Sequence, residues 1–171
     1  MPIRSGTTVL TDANTMIEAH RVGCWKALTG AFQVETVEKC VEETQTGNQR
    51  RSPEEIIDPV VLRASLGAVH PVTLRQRVAA TLAGKGPHLD EGELDLWAHA
   101  LTRADVWVLC GPDAASMRFG FLRGHRERLV SLESLLTHIG FRPAIPLRAN
   151  YLGGWLDGIV LEMTMDALRK R

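Results

Sequence analysis

No excess of charge of either sign marks this sequence, in which 20 Lys and Arg stand against 20 Asp and Glu. Net charge therefore gives no argument for a nucleic-acid partner, many of which bind overall basic proteins. Cysteine is sparse. Cys24, Cys40 and Cys110 are odd in number and lack CxxC spacing, which argues against a disulfide framework and for free core thiols in a reducing compartment. Long apolar runs are missing too: no stretch approaches a membrane span, and the opening MPIRSGTTVL has no long apolar h-region, so a cytoplasmic protein without a membrane partner is expected. The six histidines form no HxxxH pair and no Cys/His cluster, which argues against a zinc site. A GxSxG elbow and a P-loop are both absent, and Gly153-Gly154 before Trp155 reads as a turn. Repeats and low-complexity tracts are lacking as well.

What is present suits one folded domain: 171 residues, 44% hydrophobic and 23% charged. Short β-branched or apolar runs at 7–10, 31–34 and 106–110 read as strands, with a further one at 69–74 that Pro71 assigns to an edge or bulge, and a last at 129–130. Between them, apolar spacing predicts helices over 16–28, 36–44, 75–82, 91–102, 114–122 and 132–139. Residues 47–59, with GNQRRSPEE at their heart, read as an exposed loop or insertion. Strands alternating with helices predict an α/β fold, a three-layer α/β/α sandwich with a mainly parallel central sheet. Such sheets bind ligands in the crevice beyond the carboxyl ends of their strands. Asp12 and Asp113 each follow a predicted strand.

Acidic residues gather at 35–43 and 90–95, while Arg118, Arg123, Arg126 and Arg128 fall together later. Taken singly, each acid has a plain structural explanation. Asp12 could cap the following helix, Glu42 and Glu43 could be solvated, and Asp90, Glu91, Glu93 and Asp95 could complement a helix dipole. Contributed together by separate elements, Asp12, an acid of the second helix, one of the 90–95 cluster and Asp113 make a set that would repel itself unless a cation neutralised it. Mg²⁺ takes such carboxylate oxygens, and in a phosphodiesterase it lowers the pKa of bound water and stabilises the leaving oxygen.

The same residues resemble the PIN-domain family. Val9-Leu10-Thr11-Asp12-Ala13-Asn14-Thr15-Met16-Ile17 is similar to its opening strand, whose Asp is followed two residues on by Asn. Val41-Glu42-Glu43-Thr44-Gln45-Thr46-Gly47 resembles its second motif, an acid four residues before Gly, which selects Glu43. Residues 89–98 resemble the Gly-Glu form of the third motif, and Val108 to Asp113 with Arg118 and Gly120 the fourth. The closing strand and helix at 129–136 fit as well. Two features depart from the family's usual pattern. Thr11 and Ala13 flank Asp12, where a hydrophobic residue and a Ser or Thr are commoner, and the segments near 47–68 and after 143 are longer than compact members need.

The resemblance implies a metal-dependent endoribonuclease, with Asp12, Glu43, Glu93 and Asp113 as ligands to Mg²⁺ or Mn²⁺. Asn14 would orient Asp12 or a metal-bound water. Arg118, Arg123 and Arg126, on or just after the helix that follows Asp113, are expected to hold RNA. Residues 1–143 would form the nuclease domain, with the insertion near 47–68. Residues 144–171 would form a C-terminal extension, whose stripe of Leu156, Ile159, Val160, Met163 and Ala167 packs on the domain or builds a homodimer. A toxin-like enzyme would bring an antitoxin-like inhibitor protein. Two other readings stay open: a catalytically weak PIN-like module that binds RNA or protein, and another Mg²⁺-dependent phosphohydrolase, although no second Asp follows Asp12 at close spacing.

Overall fold

The computed structural model describes residues 3–82 and 88–169. Its centre is a sheet of five strands, all parallel: β1 (Thr8–Thr11), β2 (Gln33–Val37), β3 (Ala68–His70), β4 (Trp107–Cys110) and β5 (Leu129–Val130), in the order β3-β2-β1-β4-β5. Helices α1 (Ala13–Arg21) and α2 (Trp25–Ala31) join β1 to β2, and α3 (Glu38–Thr44) and α4 (Pro59–Ser65) join β2 to β3. Helices α5 (Leu74–Leu82) and α6 (Glu91–Ala100) lead to β4, and α7 (Ala114–Leu122) leads to β5. The chain closes with α8 (Leu132–His138) and α9 (Gly153–Arg169).

Consecutive residues explain why the sheet is covered on both sides. Val9, Leu10 and Thr11 of β1 and all four residues of β4 are buried, although neighbours along a strand point to opposite faces. From β1 the chain steps one way to β2 and β3, then crosses back to β4 and β5 on the other side. Right-handed crossovers therefore carry α1 to α4 over one face and α5 to α7 over the other. The packing agrees: α1 meets α2 and α3, α5 lies on α6, α6 touches β1 and β2, and α7 meets α9. This is the expected α/β architecture.

Local chemistry sets the boundaries. The helix expected over 16–28 is two helices, because Gly23 turns the chain with φ 71°. The strand expected at 31–34 lies further along, at Gln33–Val37, since α2 continues to Ala31. Residues 47–59 are not a simple exposed loop. Two 3₁₀ turns, Asn48–Arg50 and Pro53–Glu55, precede α4, which starts with Asp58 accepting from the Val60 and Val61 N–H groups and Pro59 at the first helical position. Ile57, Leu62 and Leu66 enter the core from this segment.

On the α6 side, Trp97 and Trp107 meet edge to face with centroids 6.1 Å apart. Gly120 lets α7 approach them, for a Cβ there would overlap the Trp97 ring and approach Leu129 to 2.8 Å. The C-terminal segment joins the same core. Leu156 and Ile159 are buried, Val160 and Met163 partly so, and Tyr151 donates its hydroxyl to the Asn14 carbonyl at 3.1 Å. Arg148 bridges Glu18 at 3.1 Å and Glu55 at 2.6 Å. Leu161, Met165 and Leu168 face outward. The three cysteines are buried and free. Among the described residues no helix is long and apolar enough to cross a membrane.

Candidate acidic site

β1 and β4 are adjacent and parallel, with Thr11 opposite Cys110, and the chain leaves them in opposite directions. Their carboxyl ends thus flank the point where strand order reverses, which is where an open parallel sheet forms its crevice. Asp12 and Asp113 stand there, as N-caps of α1 and α7. Capping and exposure to the crevice coexist. Asp12 Oδ1 accepts from the Thr15 N–H at 2.9 Å, and Asp113 Oδ1 accepts from Ala115 at 2.6 Å and Ser116 at 3.0 Å. Each carboxylate is oriented by main-chain amides. Asn14 is exposed in the first turn of α1.

Two helices supply the remaining acids. Helix α6 opens with a reciprocal capping box, in which Asp90 accepts from the Glu93 N–H at 2.8 Å and Glu93 accepts from the Asp90 N–H at 3.2 Å. Glu43, near the end of α3, reaches across to α6, where its carboxylate lies against Gly92. A Cβ at Gly92 would overlap the Glu43 carboxylate, so this glycine is what admits the acid. Cys40 lies alongside, its Sγ 3.5 Å from the Gly92 carbonyl.

These carboxylates feel one another. Burial, opposed by Thr15 and reinforced by Asp90 and Asp113, pushes Asp12 up to about 6. Burial and Asp90, tempered by Lys39, push Glu43 up to about 7. Burial, Asp90 and Asp113 push Glu93 up to about 8. Asp12, Glu43, Glu93 and Asp113 thus come together, and Asp90 joins them. Asp90, which the resemblance left outside the ligand set, acts by its charge on Asp12, Glu43 and Glu93. The Asp-x-x-Glu spacing of 90–93 was the available signal. Glu91 and Glu42 stay on the rim, where Lys39 lies 2.7 and 3.7 Å from them. Asp95 is buried and taken by Arg77 at 2.5 Å.

The arginines expected to hold RNA do not gather here. Helix α7 runs antiparallel to the strands and carries Arg123, its C-cap, to the amino end of the sheet, where Arg123 lies 4.9 Å over the Phe119 ring. Arg126 precedes β5 at that same end, beside Arg128, which bonds the carbonyl of Trp107, the first residue of β4. Arg118, midway along α7, pairs with Glu162 of α9 at 2.8 Å. Closeness in sequence to Asp113 misleads, because nine helical residues rise ~13 Å.

A second group was missed from sequence. Glu35 of β2, His70 of β3 and His99 of α6 hold ligand atoms within 4.8 Å of one another and could bind a metal ion. The reading that no histidine cluster exists is corrected: sheet pairing and packing bring these three together, and no local spacing marks them. A scan against protein-family models finds no matching family, and a search of curated proteins finds no match.

Proposed function

We propose that the chain is a PIN-like, Mg²⁺- or Mn²⁺-dependent endoribonuclease whose site is the crevice of Asp12, Glu43, Asp90, Glu93 and Asp113. One observation carries this reading. Five carboxylates from four elements converge at the switch point of a parallel sheet, and Asp12, Asp90, Glu93 and Asp113 each accept main-chain N–H groups. The raised values of Asp12, Glu43 and Glu93 mark carboxylates that are buried first and set beside other acids second, a cost that a divalent cation would relieve.

The donor set fits a hard cation. It offers carboxylate oxygens without imidazole. The nearest thiol, Cys40, is held protonated, because burial and the neighbouring Asp12 and Glu43 raise its pKa well above the ordinary value. When bound, such an ion activates water and stabilises the leaving oxygen of a phosphodiester. The protein's part is orientation. The Thr15 amide fixes Asp12, the Ala115 and Ser116 amides fix Asp113, and the capping box fixes Asp90 and Glu93. Glu43 is the adjustable member, on a flexible side chain against Gly92. The rim cation Lys39 is available to a phosphate once its carboxylate partners turn to solvent.

The test is cleavage of structured and unstructured RNA with Mn²⁺, Mg²⁺ or EDTA. Cutting is expected with either metal, none with EDTA, and at least a 100-fold loss in Asp12→Asn. Metal-independent cutting, or an Asp12→Asn enzyme as fast as wild type, overturns the proposal.

A further inference from the structure

The Glu35 group lies apart from the acidic crevice. His99 is in the last turn of α6, six residues beyond Glu93, or ~9 Å along the helix. Glu35 Oε2 lies 2.7 Å from His70 Nε2 and 2.6 Å from Arg103 Nη1. Arg103 Nη1 also lies 3.1 Å from His99 Nε2. The His70 and His99 rings stack with centroids 4.0 Å apart. A guanidinium nitrogen thus sits where a carboxylate oxygen and an imidazole nitrogen both face a cation.

We propose that Glu35, His70 and His99 form a binding site for a late first-row transition-metal ion, best matched by Zn²⁺, whose place Arg103 takes when no metal is bound. Two imidazoles and one carboxylate are the ligands such ions select, whereas Mg²⁺ prefers oxygen alone. The three come from β2, β3 and α6, so the backbone fixes their approach. Zn²⁺ bonds of about 2.0–2.2 Å span ligand edges of roughly 3.3 Å, so closing the group needs side-chain shifts of about an ångström.

His99 receives an N–H from Arg103, so its Nε2 lone pair is directed at the cation position and its Nδ1 carries the proton. Arg103 has a second partner, Asp105, at 2.8 and 2.6 Å, whose side chain is half exposed. The guanidinium can swing outward with that pair intact and vacate Glu35.

The test uses the full chain, freed of metal by chelation, in an Asp12→Asn, Glu93→Gln background that removes acidic-site binding. Zn²⁺ titrated calorimetrically is expected to bind at one equivalent, with Mg²⁺ unable to displace it. His70→Gln and His99→Gln are each expected to weaken binding at least 10-fold. Arg103→Gln is expected to strengthen it several-fold, because the competing cation is gone. Zn²⁺ binding of wild-type strength in either histidine variant, or weakened or unchanged binding in Arg103→Gln, overturns the proposal. If a variant fails to fold, imidazole ¹⁵N spectra of the unmutated histidines decide. Zn²⁺ is expected to shift the Nε2 signals of His70 and His99, and shifts at other histidines or at none overturn it.

Discussion

Helix α6 has a charged group at each end, and the two meet the same electrostatic problem in opposite ways. At its C-terminal end Glu35 is partly buried but neutralised from within by Arg103 at 2.6 Å, with His70 at 2.7 Å as a further partner. At its N-terminal end Asp12, Glu43 and Glu93 are buried among other acids and rise to about 6, 7 and 8, with Lys39 tempering Glu43 from the rim. All are carboxylates with similar ordinary pKa values, so environment separates them. A carboxylate with an internal cation contributes to folding. A set of carboxylates facing one another costs stability, a cost that the proposed cation would offset.

If the proposed nuclease activity holds, the largest effect expected to separate the two ends is on RNA cleavage. Beside the 100-fold or greater loss in Asp12→Asn, Glu35→Gln is expected to leave RNA cleavage within about threefold at saturating Mn²⁺ and 25 °C, because it does not face the acidic crevice. Initial rates on one RNA substrate check both. An equal loss in the two variants would erase the distinction.

Stability is expected to move in opposite directions. Glu35→Gln removes a charge-assisted bond and should cost about 1–3 kcal/mol. Asp12→Asn retains a good helix cap and removes a carboxylate raised to about 6, so in metal-free buffer at pH 8 it should gain about 1–3 kcal/mol. For a chain of this size each kcal/mol moves the melting temperature by about 2–4 °C. Melting curves in EDTA read both signs.

How much of this was legible depends on whether the signal was local. The buried strands around Leu10 and Leu109 follow from continuous apolar runs, and Asp12 and Asp113 from their places just after those runs. Glu43 and Glu93 emerged from motif spacing. Asp90 had a plain explanation as an acid complementing a helix dipole, yet its carboxylate both caps through one oxygen and charges the crevice. Glu35 and Arg103 are 68 residues apart and meet only once β2 and α6 are packed, so no window of sequence reports them. Arg123 and Arg126 lie away from the crevice for the converse reason: an antiparallel helix separates what the chain keeps close.

The pH dependence follows from the raised acids, and its sign is fixed. Their folded pKa values lie above the unfolded values of about 4, so the stability they permit is complete below about pH 4 and is lost as pH rises through about 6 to 8. Metal-free protein is expected to melt progressively lower across that window, and Asp12→Asn/Glu93→Gln to flatten the slope. Thermal scans from pH 5 to 9 check this. A wild-type slope in the double variant would assign the effect elsewhere.

The smallest change expected in stability accompanies a selective change at the site. Gly92→Ala puts a methyl where the Glu43 carboxylate lies, but that carboxylate is the end of a flexible side chain and can swing away. Melting should shift by less than about 4 °C, because the helical gain from Ala offsets the displacement. Mn²⁺ affinity should fall by about tenfold, about 1.4 kcal/mol. Unchanged affinity would remove Glu43 from the ligand set.

Most direct is the count of protons released when Mn²⁺ binds, measured by calorimetry at pH 7 in buffers of different ionisation enthalpy. With Asp12, Glu43 and Glu93 at about 6, 7 and 8, the metal-free site holds roughly one to two protons at that pH, which an ion must expel. The account expects release of that size, falling toward zero by pH 9 and reduced to about half a proton, that of Glu43, in Asp12→Asn/Glu93→Gln. Mn²⁺ binding without proton release, or equal release from the double variant, would contradict it.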